Sequence, residues 1–215
     1  MSDSYYFLYY LIHLLELTAA ILALIHYKKY KSSTERYFLH FLWLTFIFDT
    51  VIGVLIRPLF EIDNTWAYYI YTGISFLFYY WWYHSVLLKT MYKRIILVFG
   101  FLFFIVYFFN FTKPNLHQYS FITGAFFLLI LTGLYLHQLF NADYILNLKY
   151  KLSFWITIAL VLFNISMIPF ILLSEYFNFW VDNPIFVSIL FFLNVVLYGC
   201  YMIGFIWTKK KYNHF

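Results

Sequence analysis

The sequence predicts an all-α polytopic membrane protein: one bundle of seven transmembrane helices that takes up the whole chain, 1–215. Three observations predict it. The first is composition. The chain is 65% hydrophobic and 11% charged, with a mean hydropathy of +0.78, whereas a soluble domain has about 45–50% apolar and about 25% charged residues. The second is a series of seven apolar runs, each reaching the ~20 residues that a spanning helix needs. The third is a collection of Lys and Arg in alternate breaks between those runs. Aromatic residues make up 27% of the chain, with 29 Phe and 23 Tyr, more than a water-facing surface carries.

The first helix, about 5–27, begins within "MSDSYYFLYY". That stretch has no basic leader and no small-residue cleavage site, so the helix reads as retained rather than as a signal peptide. The second runs about 37–60, after "KKYKSSTER", and the third about 66–88, after "EIDNT". Trp66 opens the third helix, and Trp81 and Trp82 lie two turns inside its end; such rings favour the interface, with an apolar body and a polar tip. The fourth, about 94–112, follows "KTMYK", and the fifth, about 119–140, follows "TKPNLHQ". The sixth, about 152–176, contains Pro169, which should kink it. The seventh, about 185–207, starts after Pro184, where a missing N–H costs nothing, and Trp207 closes it. The breaks are too short for a soluble domain, and the period-2 alternation of an outer-membrane barrel is absent.

Orientation follows from charge. Of the 14 basic residues, 12 fall on one side: Lys28, Lys29, Lys31, Arg36, Lys89, Lys93, Arg94, Lys149, Lys151 and Lys209 to Lys211. The other side has Asp3, Glu61, Asp63 and Asp182, with only Lys113 in its loops. Positive-inside topology then places the N-terminus outside and the C-terminus in the cytoplasm, in a multi-pass protein of the inner (cytoplasmic) membrane. This topology accounts for the basic clusters without nucleic acid, so the partner they imply is the lipid bilayer. Arg57 is expected to pair with Glu61 or Glu175 or to snorkel to the interface. With Cys200 the sole cysteine, a disulfide framework and a cysteine-based zinc site are both excluded within one chain.

Polar residues inside the helices mark the candidate site. Glu16 falls near the middle of helix one, Asp49 of helix two, Ser75 of helix three, and Asn164 and Asn194 of helices six and seven. A charged side chain at that depth costs at least about 2.5–3.5 kcal/mol. Two readings compete. In one, both acids are protonated glue between helices, worth about 0.6–2 kcal/mol per bond. In the other, they line a cavity that binds a cation, a proton or the polar end of a ligand. Helices one and two, joined by a short loop, are expected to pack antiparallel with the two acids facing one another. Close carboxylates repel, so such a pair would share a proton unless a cation replaced it. His13 is three residues from Glu16 and so on the same helix face; a His–Glu pair can relay protons or neutralise the acid.

His26, His40, His84 and His137 form a second layer about a turn from the inner helix ends. They show no HxxxH or HExxH spacing, so neither haem nor a metal is expected, and no cofactor is implied. Walker A, GxSxG and GxxxG patterns are missing, as is a lysine within the seventh helix. His84 and Ser85 are adjacent and point apart, so no catalytic residue is assigned.

Four segments, "YYIYTGISFLFYYWWYHSVL" (69–88), "YSFITGAFFLLILTGLYLHQLF" (119–140), "FWITIALVLFNISMIPF" (154–170) and "NVVLYGCYMIGFIW" (194–207), carry a resemblance. Taken in order, they resemble an uncharacterised family of small seven-helix integral membrane proteins from Bacteroidota, and a Phe-, Tyr- and Lys-rich composition fits that source. The resemblance covers nearly the whole chain. It implies the fold and the lineage and no catalytic residue.

These observations favour a receptor-like or sensory module that binds a small ligand and signals to a cytoplasmic partner such as a kinase. A small ion- or proton-coupled transporter or channel would use the midplane acids, but the odd helix count and dissimilar halves show no inverted repeat. A defence-associated membrane effector fits the same topology. An intramembrane enzyme has the least support, lacking a metal site and a nucleophile.

Overall fold

In lipid every backbone polar group must find its partner inside the segment, so apolar runs of this length fold as helices. A computed structural model describes residues 3–56, 65–113, 116–141, 145–176 and 184–213. Among them are seven α-helices: α1 (Asp3–His26), α2 (Arg36–Phe48), α3 (Thr65–Val86), α4 (Thr90–Asn110), α5 (His117–Phe140), α6 (Leu152–Tyr176) and α7 (Pro184–Trp207). The order is the expected one. Five of them (α1, α4, α5, α6 and α7) are long and apolar enough to cross a membrane.

The other two differ for physical reasons. α2 holds regular α geometry for only 13 residues and then widens into a π-helical stretch, Asp49–Ile56, so helix two is not one uniform α-helix. π geometry is rare and recurs at functional sites. α3 has 22 residues, about 33 Å at ~1.5 Å each, which is ample length. Its six tyrosines and three tryptophans lower its hydropathy instead. α4 begins at Thr90, a turn earlier than expected, and so takes in Lys93 and Arg94, both good helix formers. α6 runs through Pro169 to Tyr176. Arg57, Glu61, Asp63 and Asp182 lie outside the described residues.

The chain divides into two compact units, Met1–Phe46 with Tyr144–Phe215, and Ile47–Asp143. In the first, α1 buries Ile12, Glu16, Ala19, Ala20 and Ala23, a stripe at three- and four-residue spacing. Its alanines let α7 approach closely, and α7 presents Asn194, Leu197, Tyr198, Tyr201 and Phe205. α6 packs on α7 at Gly204, where an added methyl would fall 2.7 Å from Trp155 Cβ. α1 and α7 end side by side. Lys29 Nζ donates to the Ile206 carbonyl (3.0 Å). The fully buried Asn213 ties the ends together, donating to Thr208 Oγ1 (2.6 Å) and accepting from the Leu152 N–H (3.1 Å). Its amide nitrogen also approaches the Lys29 carbonyl at 3.5 Å. The lysines before α6 and after α7 therefore gather with Lys29 at one basic end of this unit.

The second unit packs α3, α4 and α5 through rings. Tyr80 donates to the Gly124 carbonyl (3.0 Å), and a methyl at Gly124 would meet the Phe76 ring at 2.6 Å. At one end Gln138 bonds the Leu88 N–H (2.8 Å) and the Val86 carbonyl (3.2 Å). Trp82 is buried completely while its neighbour Trp81 is exposed; adjacent residues point apart on a helix, so only one of the two takes an outward place. Phe101 and Phe108 of α4 are 65% and 71% exposed, an apolar surface suited to lipid and a liability in water.

Candidate functional site

α1 turns Glu16 onto the same face as its alanines, so close helix packing necessarily buries the carboxylate. Glu16 is 2% exposed. Tyr198 of α7 donates its hydroxyl to Glu16 Oε1 (3.2 Å). His13, one turn earlier, places Nδ1 3.5 Å from Glu16 Oε2, longer than a hydrogen bond but within ion-pair distance. A proton transferred between these two groups converts a buried ion pair into a neutral pair, which avoids the desolvation of two charges. Chemically, a carboxylate so placed can take up a proton or accept a hydrogen bond from a donor.

Asn164 and Asn194, both buried, extend the polar content of this unit. Each donates an amide hydrogen to its own helix, to Leu160 O (2.7 Å) and Leu190 O (2.8 Å) respectively, and neither reaches Glu16 by a described bond. Of the expected residues, the structure thus brings together His13 and Glu16 and adds Tyr198. Asp49 and Ser75 belong to the second unit. Asp49 is half-buried and opens the π-helical stretch. Ser75 is buried, and its Oγ has no hydrogen bond among the described residues.

Two polar features escape a sequence reading. At one end of the second unit, Tyr69 donates to the Tyr107 carbonyl (2.6 Å) and lies 3.0 Å from Ser120 Oγ, which accepts from Asn110 (3.1 Å). Tyr69 also stacks between Tyr107 (4.4 Å) and His117 (3.7 Å). At the basic end of the first unit, Glu35 is 0% exposed just before α2. Burial pushes the Lys151 amine down to about 8, against the pull of the Glu35 charge. In the sequence Glu35 is the lone acid in "KKYKSSTER", a setting that reads as solvated, and Tyr198 is one of 23 tyrosines.

Of the histidines near helix ends, His137 bonds Tyr92 (3.3 Å) and Asn141 (3.1 Å). No group of three His, Cys, Asp or Glu side chains suited to a metal occurs among the described residues. No protein-family model, curated protein or solved structure matches the chain.

Proposed function

We propose that this chain is a seven-span protein of the cytoplasmic membrane, N-terminus outside, acting as a receptor-like or ligand-binding module with a cytoplasmic partner. The observation that supports this most is the Glu16 carboxylate, buried between α1 and α7 and held by His13 and Tyr198. A charge change there alters a bond between two packed helices, so a bound proton or ligand biases how α7 rests on α1. α7 ends in the basic cluster that a cytoplasmic partner would meet. Ion- or proton-coupled transport is the second reading, because the same carboxylate can carry a proton.

The test uses the full chain in liposomes, titrated from alkaline to acidic pH. Infrared difference spectra should show a carboxylic C=O band that Glu16→Gln removes, together with altered hydrogen exchange in α7. A variant that keeps the α7 response would reduce Glu16 to interhelical glue. Reporter fusions at Lys211 should be active in the cytoplasm; periplasmic activity would overturn the threading.

A further inference from the structure

Orientation in a membrane requires only that basic residues lie on one side, at no particular place within a loop. The basic end of the first unit is more ordered than that. Three segments distant in sequence, 27–31, 149–151 and 206–213, are fastened together there. Lys29 Nζ donates to the Ile206 carbonyl (3.0 Å), and the Lys209 N–H donates to the Tyr150 carbonyl (3.1 Å). Asn213 donates to the Lys209 carbonyl (3.1 Å) and to Thr208 Oγ1. None of the three segments contains an acid.

This fastening brings two rings and three ammonium groups into one layer. Tyr150 stacks on Tyr212, with centroids 5.8 Å apart and planes 19° from parallel. Lys209 Nζ lies 3.9 Å and Lys149 Nζ 5.1 Å from the Tyr150 centroid, and Lys211 Nζ lies 5.9 Å from that of Tyr212. Ring faces at such distances attract cations, so like charges that would otherwise spread apart are held close. All three lysines are exposed. Each ammonium carries three donors, and contact with a ring face leaves them for an anion.

An indole layer adjoins the cations. Trp155 donates Nε1–H to the Lys149 carbonyl (2.9 Å) and packs edge-on against Trp207 at 5.5 Å. Indoles with the N–H turned to a polar group and the ring to apolar surface are typical of the membrane interface. Below Trp207, at four-residue spacing on the same face of α7, comes Ile203; both are exposed. Cations, indoles and aliphatic surface thus follow one another along the end of the helix. A free phosphate or an acidic peptide would use the cations alone. A phospholipid with a negative headgroup uses all three layers.

We propose that the basic end of the first unit is a binding site for one anionic phospholipid. Lys149, Lys209 and Lys211 hold its phosphate over the Tyr150–Tyr212 pair, and an acyl chain lies along Trp207 and Ile203. The inference goes beyond the proposed function and does not depend on the titration of Glu16.

The experiment uses the purified full chain in phosphatidylcholine nanodiscs that contain some phosphatidylglycerol with brominated acyl chains, which quench nearby tryptophan. Phosphatidylglycerol should quench more than brominated phosphatidylcholine at the same share, and Trp207→Phe should remove the excess. Lys149→Gln combined with Lys209→Gln should weaken the apparent affinity for phosphatidylglycerol roughly twenty-five-fold, at about fivefold for each lysine near an anionic surface. These exposed positions tolerate the change without unfolding. Lys28→Gln combined with Lys31→Gln takes the same charge from the same end and should leave the affinity nearly unchanged. Equal losses in the two double variants would reveal diffuse attraction and overturn the site. Displacement of the lipid by inorganic phosphate would overturn it in favour of a simple anion site. A wild-type chain that shows no preference for phosphatidylglycerol, whether or not it captures a polyglutamate peptide, would overturn it outright.

Discussion

The two units solve the same packing problem with different chemistry. The first closes α1 on α7 with alanines and α6 on α7 at a glycine, and it buries acids: Glu16 beside His13 between α1 and α7, and Glu35 just before α2. The second closes α3 on α4 and α5 with rings laid over glycine and with tyrosine hydroxyls bonded to carbonyls. Neutral hydroxyls held by backbone acceptors are static, since their bonds do not change between neutral and mildly alkaline pH. Buried acids beside a histidine and a lysine are groups that can gain or lose a proton. On the proposed function, the responsive chemistry belongs to the first unit and the second is scaffold.

Four substitutions sharpen or break that assignment. Glu16→Gln should have the largest functional effect, abolishing the pH response, yet shift unfolding in detergent by only about 0.6 kcal/mol, typical of an interhelical bond in membranes. If stability collapsed instead, the acid would be structural. Gly124→Ala should do the reverse. Its methyl meets the buried Phe76 ring, so a loss of about 1–3 kcal/mol is expected, with the Glu16 band intact. Lys151→Met tests the pH dependence. The folded amine titrates near 8, below its ordinary 10.5, so the unfolded chain binds more protons between those values. Stability should therefore rise as pH climbs from about 8 towards 10.5, and the variant should lose that rise in thermal scans. Ser75→Ala should change least. Its buried Oγ has no hydrogen bond among the described residues, so unfolding should move by less than about 1 kcal/mol, and in the stabilising direction.

The helices were legible in the sequence because apolar length and short polar breaks determine them almost independently of tertiary context. α6 begins and ends at the predicted residues. The π-helical stretch after Phe48 was not legible, since the apolar pattern of DTVIGVLI is equally compatible with an α-helix. Glu16 and His13 were legible as a pair because three-residue spacing on a helix fixes their proximity. Depth grouped Asp49 with Glu16, and the two belong to different compact units. The asparagines show another limit: residue type identifies a polar group at the midplane, but Asn164 and Asn194 direct their donors back along their own helices. Glu35 went unnoticed because an acid among lysines reads as solvated until burial is known.

Asn213 has a bearing on the order in which the protein is made. It joins the end of α1 to the start of α6 and the end of α7, at a separation of 184 positions from Lys29. The second unit is continuous, Ile47–Asp143, and its partners are all synthesised before α6 leaves the ribosome. Glu16 therefore enters the bilayer long before Tyr198 exists to meet it. During that interval the acid must be sheltered by a proton, by lipid headgroups drawn inward, or by the insertion machinery. The helix with the most costly residue thus waits longest for its partner, and Asn213 holds the end of the first helix in place only once the last helix is made.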